Sequence, residues 1–336
     1  MSFSIHDLLR LLYSSVTSLF APGSETYWIF LITGVFVTAF AYAKYHMETS
    51  RFSLIAFIRF VFPLKLLKHR SVRIDFEMCF LNFFYGALVS GAVLKYIPDL
   101  GVLWKHVFSS ILWQHHLSRH YLYYVPDILF TIAIFMAADL AFYLVHVAFH
   151  RIPVLWEIHK VHHSAEAINP MTSYRGHPLN LLSTQILTKL LIDVLRGLFG
   201  AVYPDMGVSE FAFRGVNILL FSYNIVGGYL RHSSVWLHLG RRLNFVVLTP
   251  AHHQIHHSED PKHWGKNLGG ALSIWDWMWG TLYIPDKKEN LSYGLADAEE
   301  NREFNRSVIA LYYLPFINIW KRHLMPWFHS LRIKAI

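Results

Sequence analysis

Between Asp139 and His163 the chain reads DLAFYLVHVAFHRIPVLWEIHKVHH and carries five histidines, His146, His150, His159, His162 and His163. His146 and His150 are four residues apart, so on a helix both rings leave one face, a turn apart. His159 and His163 repeat that spacing, with His162 between them. Adjacent rings at His162 and His163 diverge by about 100° on a helix, so one can serve one metal and its neighbour a second. The spacing returns in AHHQIHH as His253, His256 and His257, with His252 as an extra. Together the three groups offer eight imidazoles in registers that suit a dinuclear metal centre. Two metals with roughly four to six ligands each need more than that.

His232 in LRHSS and His177 in YRGHP are the candidates for the missing ligands. His232 follows the uncharged stretch 215–230 and is expected as a direct ligand. His238 is its competitor; six residues on a helix turn through about 600°, so both rings cannot serve one metal. His177 precedes Pro178, which biases it toward extended backbone at a helix entrance, from which it could reach inward. The one cysteine, Cys79, cannot supply a thiolate set. Neutral imidazoles add no negative charge near an apolar phase.

The elements that must hold these rings are apolar. Of the 336 residues 54% are hydrophobic, and the mean hydropathy is +0.32. Residues 26–43 and 78–94 carry no charge, and 128–149 are interrupted only by Asp139. Each approaches the ~20 residues that cross a bilayer. The expected fold is therefore all-α, a multi-pass transmembrane helical protein with a histidine-rich di-metal site facing the cytosol. Seven Lys/Arg against one acid in 44–73, and only two in 98–126, place 44–73 inside. The third span then delivers His146 and His150 to the cytoplasmic face. The net charge of +8 reads as contact with anionic headgroups, not nucleic acid.

Ile5, Leu8, Leu9, Leu12 and Val16 follow helical spacing and suggest an interfacial helix instead of a cleaved signal. The apolar run 52–64 is expected to lie in the interface. Residues 181–203 and 208–230 read as a hairpin that dips into the membrane and returns. Lys189, Asp193 and Arg196 would neutralise one another on its first helix. Trp275, Trp277 and Trp279 suit a turn and an interfacial segment. The expected organisation is an N-terminal membrane region over 1–125, a catalytic domain over 126–290 and a membrane-surface tail over 291–336.

In D-x-x-x-Y at Asp139, LWEIHKVHHS, R-x-H-P at Arg175, TPAHHQIHHS, and N-x-G followed by WDWMWGT, the chain resembles the fatty acid hydroxylase / sterol desaturase superfamily. These are membrane non-haem di-iron oxygenases, and the resemblance runs from about Asp139 to Pro285. It implies a cytosol-facing di-iron centre built by His146, His150, His159, His162, His163, His253, His256 and His257, with O2 as co-substrate. His232 and His177 match histidines that recur outside the motifs. It also implies a lipid substrate (a sterol, fatty acyl chain or related lipid) in the inner membrane of a bacterium or the endoplasmic reticulum. No flavin or NAD fingerprint is visible, so a separate donor is expected: a cytochrome b5-like carrier, a ferredoxin or a reductase. Zinc outranks ferrous iron for such ligands and is expected to replace it on overexpression. Val147, Asn180 and Leu268 depart from many relatives, which have Arg, Glu and Tyr there.

Attack on an unactivated C–H bond calls for a cofactor that activates O2. Each ligating ring must also donate its other N–H. Asp139, seven residues before His146 on the same helix face, is the first candidate acceptor and the catalytic assignment outside the ligands; Glu166 and Asp276 are weaker ones. Soluble di-iron bundles use Glu and Glu-x-x-His ligands, which are missing here. A membrane metal transporter is the alternative, but its ligands sit mid-span beside carboxylates. A b-type haem carrier needs two axial histidines per haem, and zinc proteolysis needs the Glu of H-E-x-x-H.

Overall fold

A computed structural model describes residues 13, 17, 20–24, 26–46, 53–61, 63–85, 91–112, 124–204 and 207–327. Its longest helix is Val125–Arg151, and local chemistry sets both ends. Pro126 enters at the first turn, where its missing N–H costs nothing, and Asp127 faces the helix's positive end. The helix stops at Ile152 (φ −92°, ψ 114°), which the following proline holds extended. Pro153 then opens the next helix, Pro153–His163. One extended residue thus makes a corner that folds the His159 and His163 face back onto His146 and His150.

In chain order the helices are α1 (Trp28–His46), α2 (Leu54–Val61), α3 (Leu64–Leu67), α4 (Arg70–Tyr85), α5 (Gly91–Leu94), α6 (Gly101–Leu112), α7 (Val125–Arg151) and α8 (Pro153–His163). They continue as α9 (Pro178–Val202), α10 (Ile218–Ile225), α11 (Arg241–Asn244), α12 (Pro250–His256), α13 (Ile274–Met278), α14 (Ala298–Phe304) and α15 (Val308–Ile319). A π-helical turn, Trp320–Leu324, prolongs α15. Among the described residues the helices are joined by one two-residue antiparallel pair, β1 (Ala212–Phe213) and β2 (Val216–Asn217), and two isolated bridges, Val247 with Leu272 and Ser258 with Tyr293.

Among the described residues two helices are long and apolar enough to cross a membrane, α1 over Trp28–Tyr45 and α7. They run in the same direction. The first turns of α7 receive Ser209 N–H at Asp127 (2.8 Å) and Phe211 N–H at Thr131 (2.8 Å). Phe221, in the same segment, packs on Tyr27 and Phe30 at the start of α1. At the other end Lys44 donates to the His238 carbonyl (2.9 Å), and Tyr45 packs beside Ala251 and Ile255 of α12. His146 and His150 lie at the corresponding end of α7.

α9 runs back along α7, from Asn180 beside His159 to Phe199 beside Phe130 (ring centroids 4.9 Å). Buried Asp193 takes Lys189 (2.6 Å) and the Leu100 backbone N–H (3.1 Å), so the charged stripe also docks the segment before α6. At Gly197 a Cβ would sit 2.3 Å from Trp104 Cβ; only glycine admits this contact with α6. The return leg is shorter than the run 208–230 suggests. Arg214 and Gly215 make a positive-φ turn, and Gly227 (φ 109°) ends α10, so only Ile218–Ile225 is α-helical before the 3-10 turn Gly228–His232.

The uncharged run 78–94 is divided between α4 and α5, with residues 86–90 outside the described residues, as are Ile5, Leu8, Leu9, Leu12 and Val16 of the expected interfacial helix. The tail packs onto the rest: Leu311 and Phe304 join Ile74, Met78 and Val161 in one core. Its lock is Arg175, fully buried, which donates to Asp75 (2.8 Å), Asn305 (2.8 Å), Ser164 Oγ (2.9 Å) and the Val161 carbonyl (3.0 Å). Arg175→Met strands a buried carboxylate and is expected to cost about 3–5 kcal/mol in thermal melts, with Arg175→Met/Asp75→Leu recovering part of it. Equal melting of the single variant and the parent would show that the pair is dispensable.

Candidate metal centre

Nine imidazoles converge where the histidine-bearing end of α7, α8, α12 and the 3-10 turn Gly228–His232 meet. They form two groups: His146, His150, His159, His163 and His256, and His162, His232, His253 and His257. Within each group one nitrogen per ring lies within 4.8 Å of all the others. The helix registers produce the division. His162 turns to one group and its neighbours His159 and His163 to the other, while His256 and His257 split likewise.

The nitrogens meet edge to edge. His146 and His159 approach to 3.1 Å between Nε2 atoms, His150 and His163 to 3.2 Å. In the second group His232 approaches His162 at 3.1 Å and His253 at 2.7 Å, and His253 approaches His257 at 3.1 Å. Two ligands bound at ~2.1 Å to one ion sit ~3.0–3.4 Å apart for right-angle to tetrahedral spreads, so most of these spacings fit shared cations.

The tautomers agree where the other nitrogen is tied. His146 Nδ1–H donates to the Leu268 carbonyl (2.7 Å) and His256 Nδ1–H to the Lys266 carbonyl (2.9 Å), leaving both Nε2 lone pairs aimed inward. His256 Nε2 is buried with no protein partner. Ser173 Oγ meets His232 Nδ1 at 2.8 Å, and the Asn180 amide faces His159 Nδ1 at 3.3 Å. Burial disfavours the cation and holds His162 down to about 3 and His256 to about 4. The rings are neutral, as metal ligands must be.

Asp139 does not touch a histidine. Its carboxylate accepts the backbone N–H of Ala271 (2.6 Å) and Leu272 (3.0 Å) and the Trp275 indole N–H (2.9 Å). Asp276 accepts the N–H groups of Leu268 (2.7 Å) and Gly269 (2.9 Å) and the Thr281 hydroxyl (2.6 Å). The two carboxylates clamp the loop whose Leu268 carbonyl holds His146. Asp139 therefore positions the loop, and the ring contact expected of it is corrected: backbone N–H groups occupy the carboxylate, and the Leu268 carbonyl takes the His146 N–H. Glu166 is also corrected; it binds Asn301 (2.9 Å) and lies 3.8 Å from His69.

His177 lies outside both groups, which corrects the ligand expectation. It is the N-cap of α9: its Nδ1 accepts the Leu179 N–H (3.3 Å), and its ring packs on Tyr312 and Phe316. His238 lies outside too, with Nδ1 accepting from Gly240 N–H (3.1 Å). His232 is in the second group. Sequence reasoning missed Ser173, and named Asn180 only as a departure from relatives. A polar residue one turn into a helix that starts beside His159 was the available signal for the latter.

A cavity of about 690 Å³ opens against the five-ring group. His150, His163 and His256 line it, with Trp156, Leu268 and Leu295, and none of the four-ring group does.

A helical protein with two candidate membrane spans and paired histidine clusters able to hold metal is the class these features define. Residues 131–281 match the fatty acid hydroxylase family model. The chain is 30% identical over 188 residues to alkylglycerol monooxygenase of Danio rerio, covering 56% of this chain and 37% of that protein. It is 27% identical over 208 residues to the Homo sapiens alkylglycerol monooxygenase (62% and 42%), and 26% identical over 158 residues to the ornithine lipid hydroxylase OlsE of Rhizobium tropici (47% and 43%). It thus spans about two fifths of the length of these relatives. No solved structure matches. The match over 131–281, with these relatives, supports the fatty acid hydroxylase superfamily for that part of the chain.

Two outcomes follow. His232→Ala is expected to halve the bound metal, whereas His177→Ala leaves it intact, by elemental analysis of folded protein; the reverse pattern would exchange their roles. Burial also holds His177 down to about 4 from its ordinary 6.5. The unfolded chain then takes up this proton first as the pH falls, so the contribution is full above 6.5 and lost toward 4. His177→Asn, which keeps an N-cap, should lessen the loss of melting temperature between about pH 7 and about pH 5. An unchanged loss would remove His177 from the acid response.

Proposed function

We propose that this chain is an integral membrane, multi-pass di-iron oxygenase that hydroxylates a C–H bond of a lipid on the cytoplasmic face. The observation that carries the reading is the asymmetry of the centre: three rings of the five-ring group, His150, His163 and His256, border the cavity, and none of the four-ring group does. The balance is RH + O2 + 2 electrons + 2 protons giving ROH and water. The relatives are a monooxygenase and a lipid hydroxylase by name, which favours hydroxylation over desaturation. The parallel run of α1 and α7 and the basic stretch 44–73 support the cytoplasmic assignment.

Iron bound by the two histidine groups would supply the O2 activation that side chains lack, and zinc would occupy the same nitrogens on overexpression. The protein's part is positional. Trp156, Leu268 and Leu295 give the cavity an apolar wall beside His150, His163 and His256, while Arg151, Lys266 and Glu259 in its lining offer polar groups for a headgroup. Lys160, between two ligand-bearing positions, is held by Glu157 (2.9 Å) and Glu300 (3.0 Å), and Arg322 braces Glu300 (2.7 Å). This ion network ties α8 to the tail. We take 126–290 as the catalytic unit and 1–125 as its membrane scaffold, with the tail closing the cavity through Leu295 to Asp297. Electrons come from a separate carrier, a cytochrome b5-like protein, a ferredoxin or a reductase.

Comparison of lipid extracts from a host with and without the gene should show species heavier by one oxygen atom. Ala296→Trp, which crowds the cavity, should remove those species while metal content is kept. Lipid profiles unchanged by an expressed, iron-loaded protein, with transport of metal instead, would favour the transporter reading.

A further inference from the structure

Two short turns flank the loop that holds His146, and their outward side chains form one surface. The first is α11 with Phe245 and Val246; the second is α13 with Trp279. Backbone bonds stitch them together, from Leu248 N–H to the Ala271 carbonyl (2.9 Å) and from Ser273 N–H to the Val246 carbonyl (3.0 Å). Phe245 and Trp277 meet ring to ring at 5.4 Å. Leu243, Phe245, Val246, Trp277, Met278 and Trp279 are nevertheless each 39–56% exposed. Six large apolar side chains in water would be costly, at about 25 cal/mol per Å² of apolar surface.

Position and charge name what covers them. Trp279 stacks on Tyr143 of α7 at 5.2 Å, and Trp275 binds Asp139. α7 has 27 residues. It is thus ~40 Å long against a hydrocarbon core of ~30 Å. Tyr143 lies ~12 Å from its histidine-bearing end, so with the excess length at that end the patch falls at the membrane boundary. Beside the patch, Arg241 and Arg242 are exposed and pair with no carboxylate among the described residues. Lys44, at the end of α1, reaches the carbonyl of His238 three residues before Arg241.

We propose that this patch is seated in an anionic bilayer surface: Leu243, Phe245, Val246, Trp277 and Met278 enter the headgroup–acyl boundary, and Arg241 and Arg242 bind anionic headgroups. Aromatic side chains with flanking arginines suit that boundary, and each basic residue adds attraction to anionic lipid. The loop that fixes His146 is thereby held against the membrane from both sides.

The inference rests on the membrane reading above, and the test separates the two. Full-length chain lacking Cys79 (Cys79→Ser, or Cys79→Ala where that gives better yield) is spin-labelled at Met278→Cys, at Phe36→Cys on the exposed face of α1, and at Lys262→Cys on a polar loop. It is placed in nanodiscs of phosphatidylcholine with or without phosphatidylglycerol. The expected result is label collision with dissolved oxygen, not with a water-soluble nickel chelate, at 278 and 36, and the opposite at 262. Omitting phosphatidylglycerol, or Arg241→Glu/Arg242→Glu, should move label 278 toward water. A water-exposed label at 278 with a lipid-exposed one at 36 overturns the patch and leaves the spans standing. A water-exposed label at 36 overturns the membrane reading itself. Shielding of 278 from both reagents would show a protein partner or a second copy there, and a depth indifferent to lipid charge would remove the headgroup role of the arginines.

Discussion

Nine buried imidazoles packed with a ring nitrogen each turned inward are the constraint on which this structure depends. Apposed Nε2 atoms at 2.7–3.2 Å do not all satisfy one another, because in each such pair one nitrogen must carry a proton for the contact to attract. Burial opposes relief by protonation, holding His162 down to about 3 and His256 to about 4. Shared cations would turn these close approaches into coordination. The corner at Ile152, the hairpin that brings back His232 and the short helix α12 all deliver rings to this point.

The carboxylates are kept one layer away. Asp139 and Asp276 spend their lone pairs on backbone N–H groups of residues 268–272, and the loop's carbonyl at Leu268 holds a ring. Gly269 and Gly270 permit that clamp: a Cβ on either would lie 2.6–2.8 Å from loop backbone or a carboxylate oxygen. Arg175 plays the same part on the other side, joining α4, α8 and the tail through buried polar contacts. The site is thus braced from α7 through one loop and from α8 through one guanidinium.

The histidine groups were legible because helical spacing alone decides which rings share a face. His162 against His163 and His256 against His257 divide between two groups as the adjacent-ring geometry requires. His232 was legible from its place after the apolar return. His177 misled because an extended residue before proline is equally an N-cap, and only the tertiary setting of Tyr312 and Phe316 shows which. Asp139 misled because a shared helix face gives proximity along the helix and says nothing about a loop more than a hundred residues away competing for the carboxylate. The length of α10 was obscured by apolar composition that ignores the turn at Gly215 and the break at Gly227.

Anomalous diffraction at the iron edge, from crystals of the iron-loaded chain, tests the two-group centre most directly. Two peaks are predicted, one among His146, His150, His159, His163 and His256 and one among His162, His232, His253 and His257. A single peak, or a peak bounded by His177 or His238, would contradict it.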